Sequence, residues 1–331
     1  MKNFNILFTS AGRRVALINS FREALAQLGL KGRIITADLK PNAQAHFVSD
    51  ARESVPRVTD KNYVSRLLEI CKMHSINLLV PLIDPELHIL SSASEDFKRA
   101  GVFLLTSSTE TNKLCLDKVE TFKFFLKLGV ETTRIIPHSE LYGTNPPPFP
   151  LFLKPRLGSG SVGAVQIKDK IALDFYFQTV TDPIVQEMAF GDEYSIDILT
   201  DLDGKVLSVV PRLRQEVRAG EICKGMTVKN QQLIEGGKMI VESLPGPFGC
   251  LTVQCFLTPE RKIIYTEINP RFGGGIPLTI KAGANFPLWI IQMARGEKLS
   301  VKIDDWQDGL IMLRYDEAIY TREENIRNLS R

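Results

Sequence analysis

The 331-residue chain lacks the patterns that hold a soft metal or staple a secreted fold. Its five cysteines, Cys71, Cys115, Cys223, Cys250 and Cys255, are odd in number, irregular in spacing and never arranged C-x-x-C, so neither a disulfide framework nor a zinc site is expected. The four histidines are scattered, which leaves oxygen as the expected donor for any metal. No block of like charges occurs, and 41 basic residues against 38 acidic ones give a net charge of only +3. A nucleic-acid arm and a polybasic membrane anchor are both excluded on that ground. No apolar stretch is long enough to span a bilayer, and the opening MKNFNILFTSAGRR reads as a first strand rather than a signal peptide. The absences together point to a cytoplasmic protein acting on small molecules.

What is present is ordinary globular composition, 44% hydrophobic and 24% charged, enough for two or three domains. Strand and helix alternate in the first hundred residues. Strands are expected at 5–10, 33–38, 77–81 and 102–105, with helices at 14–28, 63–74 and 85–100. Such alternation implies parallel βαβ units in a doubly wound sheet, whose ligands gather beyond the C-terminal strand ends. Ser10 to Arg13, Asp38, Asp84 and Glu86 all take such positions. A helix at 114–128 follows, then a Pro-rich connector at 145–150. Beyond it the pattern turns to hairpins, with strands expected at 151–154, 163–167, 184–188, 194–200, 206–211, 251–257 and 263–268. Helices are expected at 229–244 and 287–296, and last strands near Val301 and at 310–313. The expected fold is an N-terminal Rossmann-like α/β domain over 1–108, a small lobe with a glycine-rich loop over 109–185, and an α+β lobe over 186–331.

Three constellations carry chemistry. The first is the strand ending in Lys154 followed by Gly158-Ser159-Gly160-Ser161-Val162-Gly163. A dinucleotide fold would send this G-x-G-x-x-G into a helix, but Ala164 to Ile167 reads as a strand. The segment is therefore a hairpin whose glycine-rich tip can close over polyphosphate with its backbone N–H groups, and Lys154 supplies a fixed cation. No G-x-x-x-x-G-K-S/T occurs, which excludes a P-loop. The second is Gln254 and Glu267 on two strands around a turn at Pro259 to Lys262, which sets the two residues opposite each other. Asn269, two residues further, shares that face. Three oxygen-bearing side chains suit Mg²⁺, with Arg271 beside them to neutralise a transferring phosphoryl group. The third is the strand from Ile184 to Met188 with Glu187, followed by Gly191 and Glu193, whose exposed backbone can read an adenine edge.

In that order these residues resemble the ATP-grasp superfamily, and within it the carbamoyl-phosphate synthetase large-subunit-like branch. The specific part is Gln254 opposite Glu267-Ile-Asn269-Pro-Arg271, and Asp117-Lys118 opening a helix extends it. The resemblance implies ATP and Mg²⁺, with Mn²⁺ as an alternative metal. Lys118 and Lys154 would contact phosphates, along with the loop at Ser159, Gly160 and Ser161. Glu187, the Met188 backbone and Glu193 would hold adenine and ribose. Gln254, Glu267 and Asn269 would ligate the metal, and Arg271 would stabilise the transition state. It implies a ligase that activates a carboxylate as an acyl phosphate for attack by an amine, and it is in keeping with a homodimer. Carbamoyl-phosphate synthetase carries two such units in tandem, whereas one is seen here, which favours a stand-alone ligase over a carboxyphosphate-forming one. A non-catalytic ATP-binding protein is a third reading, and a nicotinamide dehydrogenase a fourth. The dehydrogenase reading suffers because Ser10-Ala-Gly12-Arg-Arg14 has one glycine where that fingerprint has three. For the substrate, Arg214 is the first choice to bind a carboxylate, from the run Arg212, Arg214, Arg218 and Lys224, and Asp84 with Glu86 to hold an ammonium group.

Overall fold

A computed structural model describes residues 3–218, 220–300 and 302–327. The first unit is a five-stranded sheet of β1 (Asn5–Thr9), β2 (Ile34–Asp38), β3 (Ala51–Ser54), β4 (Ile76–Pro81) and β5 (Phe103–Leu104), in the order β3-β2-β1-β4-β5. All its pairings are parallel. Central strands of parallel sheets are covered on both faces, and β2 is accordingly buried at every residue. Helix α1 (Val15–Gln27) lays Leu17, Ile18, Phe21, Ala24 and Leu25 against the sheet at helical spacing. Helix α2 (Tyr63–Met73) packs beside β4. Strand order reverses between β1 and β4, so the crevice beyond their C-terminal ends opens at the Ser10 to Arg14 turn and at Asp84.

The expected helix at 85–100 divides into α3 (Asp84–Ser92) and α4 (Ser94–Arg99), with Ala93 serving as the cap of both. Likewise the helix expected at 114–128 is two, α5 (Thr109–Leu116) and α6 (Lys118–Leu128). Asp117 separates them in an extended conformation, and its carboxylate accepts the Val119 and Glu120 N–H groups that open α6. Gly129 ends α6 at φ +70°, a left-handed turn that costs glycine little.

A short helix, α7 (His138–Leu141), precedes a three-stranded sheet of β6 (Leu151–Pro155), β7 (Val165–Ile167) and β8 (Pro183–Glu187), ordered β7-β6-β8. Helix α8 (Lys170–Thr179), absent from the sequence reading, caps this sheet and joins its core through Leu173. The glycine-rich segment is the β6–β7 connection of an antiparallel hairpin, as the strand after it predicts.

The third sheet has six antiparallel strands: β9 (Asp192–Thr200), β10 (Val206–Arg218), β11 (Glu221–Thr227), β12 (Gly249–Leu257), β13 (Ile263–Asn269) and β14 (Ile311–Leu313), in the order β13-β12-β9-β10-β11-β14. The strand expected to end at residue 211 runs on to Arg218 and folds back as β11. Its polar residues pair in place of apolar packing, with Lys224 at 2.6 Å from Glu216. The expectation near Val301 falls outside the described residues. Helix α9 (Gln231–Glu242) covers one face of this sheet, with Gly237 pressed against Ile196 and Ile198. Two further helices, α10 (Ile276–Lys281) and α11 (Phe286–Ala294), pack against α1. Phe8, Phe21 and Phe272 form an edge-to-face chain with centroids 5.0 and 5.8 Å apart. One apolar cluster thus runs from the first sheet into the segment directly after Arg271.

Candidate active site

Where the three sheets face one another lies a cavity of about 520 Å³, within the range of small-molecule and cofactor sites. Lys118, Lys154, the loop from Gly158 to Val162, Glu187, Met188, Glu193, Arg214, Gln254, Glu267 and Arg271 all line it. Asn269, Asp84 and Glu86 stand behind its wall.

The β12–β13 register pairs Gln254 with Glu267, as the position of the turn predicts. Burial works against a charge on Glu267, but Lys154, a hydrogen bond from the Asn269 amide, Lys118 and Arg271 outweigh it and hold its pKa below the ordinary carboxylate value. Lys154 is 7% exposed, and burial pushes its pKa down to about 8, with Glu267 opposing that shift. Lys118 is also lowered by burial, offset by Glu267 and Asp84. Its ammonium lies 3.0 Å from the Gly158 carbonyl, which ties the start of α6 to the glycine loop. Two lysines therefore flank one ionised carboxylate at the floor of the cavity.

Arg271 is the hub of a chain of polar contacts. It donates to the Asn269 side-chain amide oxygen at 2.9 Å, and the Asn269 amide nitrogen donates in turn to Glu267 at 2.9 Å. On its other side it donates twice to Asp84 Oδ2, at 2.9 and 3.2 Å. Burial disfavours its charge, yet Asp84 and Glu267 raise its pKa above the usual arginine value. Asp84 opens α3 in the first unit, so an arginine from the third sheet is oriented by a carboxylate from the first.

Three expectations for the substrate residues are corrected by this geometry. Glu86 is wholly buried and cannot meet an ammonium group in the cavity. Its carboxylate accepts the Leu82 and Ile83 N–H groups, the Ser10 hydroxyl at 3.0 Å and the Tyr63 hydroxyl at 2.5 Å. Asp84 is engaged with Arg271. Arg214 is not an open carboxylate receiver: its Nη1 lies 2.8 Å from Glu193 and 3.1 Å from the Gln254 side-chain amide oxygen, and its Nη2 donates to the Gly220 carbonyl. Burial raises the Glu193 pKa, with Arg214 opposing. The Glu187 side chain is exposed and paired with Arg134 at 2.8 Å. At that end, Phe152, Phe256 and the Met188 backbone supply the apolar wall and polar edge.

Arg13, which the sequence placed at a ligand-gathering strand end, lines the opposite end beside Gly273 to Gly275, together with Arg14 and Glu221, which sequence reasoning missed. The signal for Arg14 was available, because Arg13 and Arg14 follow the first strand at the point where strand order reverses. Arg212 had been grouped with a basic loop. It is 1% exposed, and its Nε and Nη2 hold Asp197 at 2.7 and 2.8 Å beneath the glycines. For a divalent cation, the donors present are the ionised Glu267 carboxylate and the amide oxygens of Gln254 and Asn269, here turned to Arg214 and Arg271. Among the described residues no group of three His, Cys, Asp or Glu gathers as a metal cage. A cation that takes one carboxylate and draws its other ligands from phosphate and water fits this set.

Comparison with known proteins agrees with the architecture. Residues 6–105 match the family model of the PylC-like N-terminal domain, and residues 179–317 that of the ATP-grasp in the biosynthetic pathway with Ter operon. Among solved structures, the biotin carboxylase domain of Hydrogenobacter thermophilus 2-oxoglutarate carboxylase, crystallised with MgADP, ADP and bicarbonate, superposes with a TM-score of 0.71 at 14% identity. The match covers 94% of this chain and 74% of that one. L-amino acid ligase from Bacillus licheniformis gives 0.65 at 19% identity, over 89% and 74% of the two chains. N5-carboxyaminoimidazole synthetase from Staphylococcus aureus gives 0.66 at 15%, over 94% and 81%. At these identities the likeness is one of fold. A search of curated proteins finds no match. The match over residues 179–317 identifies that part of the chain as an ATP-grasp region, and the solved structures share the fold. More narrowly, the chain joins a PylC-like N-terminal domain to an ATP-grasp region of the Ter-operon type.

Proposed function

We propose that the chain transfers the γ-phosphoryl group of ATP to a carboxylate, and that an amine then displaces phosphate from the acyl phosphate to form a C–N bond. The observation that carries this reading is the set Lys118, Lys154, Glu267 and Arg271 lining one cavity, with Asn269 behind Glu267, so that the one carboxylate is held ionised among four cationic or amide groups. Phosphoryl transfer asks the protein for position and countercharge. Lys118 and Lys154 supply fixed charge to the phosphates, the loop at Ser159, Gly160 and Ser161 covers them and excludes water, and Arg271 neutralises charge on the transferring group and the carboxylate. Met188 and Glu193, with the backbone at Glu187, hold the adenosine. Glu267, with the amide oxygens of Gln254 and Asn269 once released from Arg214 and Arg271, would hold Mg²⁺, which would supply countercharge to the phosphates. The substrates are a small-molecule carboxylate and an amine. We place the reaction in the cytoplasm, where ATP is supplied; among the described residues no helix is long and apolar enough to cross a membrane. The biotin carboxylase domain crystallised as a dimer supports a homodimer here.

The test is ADP release with Mg²⁺ and ATP against a panel of carboxylates and amines, singly and in pairs, with bicarbonate plus ammonia included. ADP formation that needs one carboxylate and is accelerated by one amine is the expected result. Stimulation by bicarbonate and ammonia alone would replace it with a carboxyphosphate-forming reaction. ATP binding with no turnover under any pair would make the chain a nucleotide-binding protein without ligase activity.

A further inference from the structure

The end of the cavity away from the adenosine wall carries more positive charge than one carboxylate needs. Arg13, Arg14, Arg212 and Arg271 line this end with Glu221, Arg314 reaches Glu221 from beside it, and Asp84 and Asp197 hold two of the arginines from behind, so that these eight groups leave two positive charges uncompensated. Asp84 and Asp197 each hold one arginine closely, at 2.9 and 2.7 Å. Glu221 is shared loosely by the other three, at 3.6 Å from Arg13, 4.0 Å from Arg14 and 3.2 Å from Arg314. At 4.0 Å Arg14 is beyond hydrogen-bond reach of the carboxylate it faces. Burial, with repulsion from Arg271, lowers its pKa to about 10, which leaves it charged at neutral pH.

Two further observations point to a ligand. Arg212 Nη1 has no hydrogen-bond partner although the side chain is buried and lines the cavity. A buried charged donor left unpaired is costly, so the site is built to receive an acceptor. The glycine run is also pressed against these groups. A Cβ on Gly274 would stand 3.1 Å from Arg14 Nη1 and 3.2 Å from the Glu221 carboxyl carbon, and one on Gly275 would stand 2.1 Å from Arg212 Nη1. A side chain at Gly275 is excluded by Arg212 and Ile222, and one at Gly274 would crowd the ends of Arg14 and Glu221.

We propose that Arg14, Arg212 and the glycine run Gly273 to Gly275 form a second anion subsite beside Arg271, and that the substrate is a carboxylate bearing a further acidic group that docks there. The reacting carboxylate faces Arg271 and the nucleotide; the second group, a carboxylate or a phosphate, faces Arg14. This rests on the ligase reading for the word substrate, but the subsite is defined by its own residues. Glu221 holds the arginines apart before the ligand arrives and competes with it for Arg14.

The experiment is calorimetric titration of the full chain, without nucleotide, with matched probes: propionate against succinate, and serine against O-phosphoserine. Succinate and O-phosphoserine should each bind about tenfold or more tightly than the counterpart lacking the second acidic group, the range of one charge-assisted contact. Arg14→Gln should abolish that preference, Arg14→Lys should restore part of it, and Glu221→Gln should strengthen it. Succinate against O-phosphoserine tells a carboxylate site from a phosphate one. Equal affinity with and without the second acidic group, no binding of either succinate or O-phosphoserine, or a preference that survives Arg14→Gln would overturn the proposal. Circular dichroism of each variant guards against misfolding, and Glu221→Gln keeps an opposite-signed readout if Arg14 variants fold poorly. Failure of the wild type to bind ATP would overturn the ligase reading instead, and the nucleotide-free titration would still decide the subsite.

Discussion

The first sheet and the third sheet treat their polar groups in opposite ways. Beyond the first sheet's strand ends, acidic groups turn inward: Asp38 accepts the Gly12 and Lys40 N–H groups, and Glu86 accepts four donors beneath the Ser10 turn. They fix the loops and leave Arg13 and Arg14 to reach the cavity. On the third sheet the polar side chains of β9, β10, β12 and β13 stay on the open face, where Glu193, Arg214, Gln254 and Glu267 line the cavity together. Acidic residues at strand ends of a parallel sheet therefore signal loop architecture as readily as ligand contact, whereas a polar row crossing an antiparallel sheet signals a site.

The contrast is most easily broken at Asp197. It lies fully buried in the third sheet and holds Arg212 as well as the Thr252 and Thr279 hydroxyls. Removing one partner of a buried pair strands the other, so Asp197→Ala should lower unfolding stability by about 3–5 kcal/mol in urea denaturation. A loss below about 1 kcal/mol would show that water enters and that the floor is not sealed.

Next in size is the difference between Arg271 and its holder. Arg271→Ala should reduce kcat by about 10²–10³-fold, with ATP affinity changed less. Asp84→Asn keeps the arginine but weakens a charged hydrogen bond worth roughly 1.5–3 kcal/mol, so kcat should fall by about tenfold to a hundredfold. Steady-state kinetics with fluorescent-nucleotide titration checks both. Equal losses would make Asp84 a partner in the chemistry, and no loss in Asp84→Asn would confine it to architecture.

The smallest effect concerns Glu86. Burial raises its folded pKa, against the bonds from Tyr63, Leu82 and Ile83 that favour its charge. A carboxyl with a raised folded pKa keeps its proton longer in the folded state, so its contribution to stability declines as pH rises from the unfolded value toward the folded one. The Tm of Glu86→Gln relative to wild type should therefore climb by a few degrees over that window. A constant difference across pH would mean that Glu86 ionises as freely folded as unfolded.

Much of this was legible in the sequence because it rests on periodicity and on one turn. The alternation of strands and helices gave the parallel sheet, and the turn at Pro259 to Lys262 set Gln254 opposite Glu267. The illegible parts depend on contacts between distant residues. Nothing near residue 84 indicates that Asp84 meets an arginine 187 positions later. Strand β11 was hidden because its pairing with β10 is made by Arg212, Arg214, Glu216 and Lys224, and a run of charged residues reads as a loop unless its partner strand is known. Asp117 likewise breaks a periodic apolar pattern that continues across it, and only its capping role reveals two helices.

The Asp84–Arg271 pair also has a consequence in time. A chain made from its N-terminus completes the first sheet before the third, and domains fold as units in that order during synthesis. Asp84 is in place long before the ribosome reaches Arg271, so this contact closes onto a finished partner. Under the proposed reaction, an incomplete chain holding the first sheet alone lacks Lys154, Glu267 and Arg271 and so has no means to consume ATP.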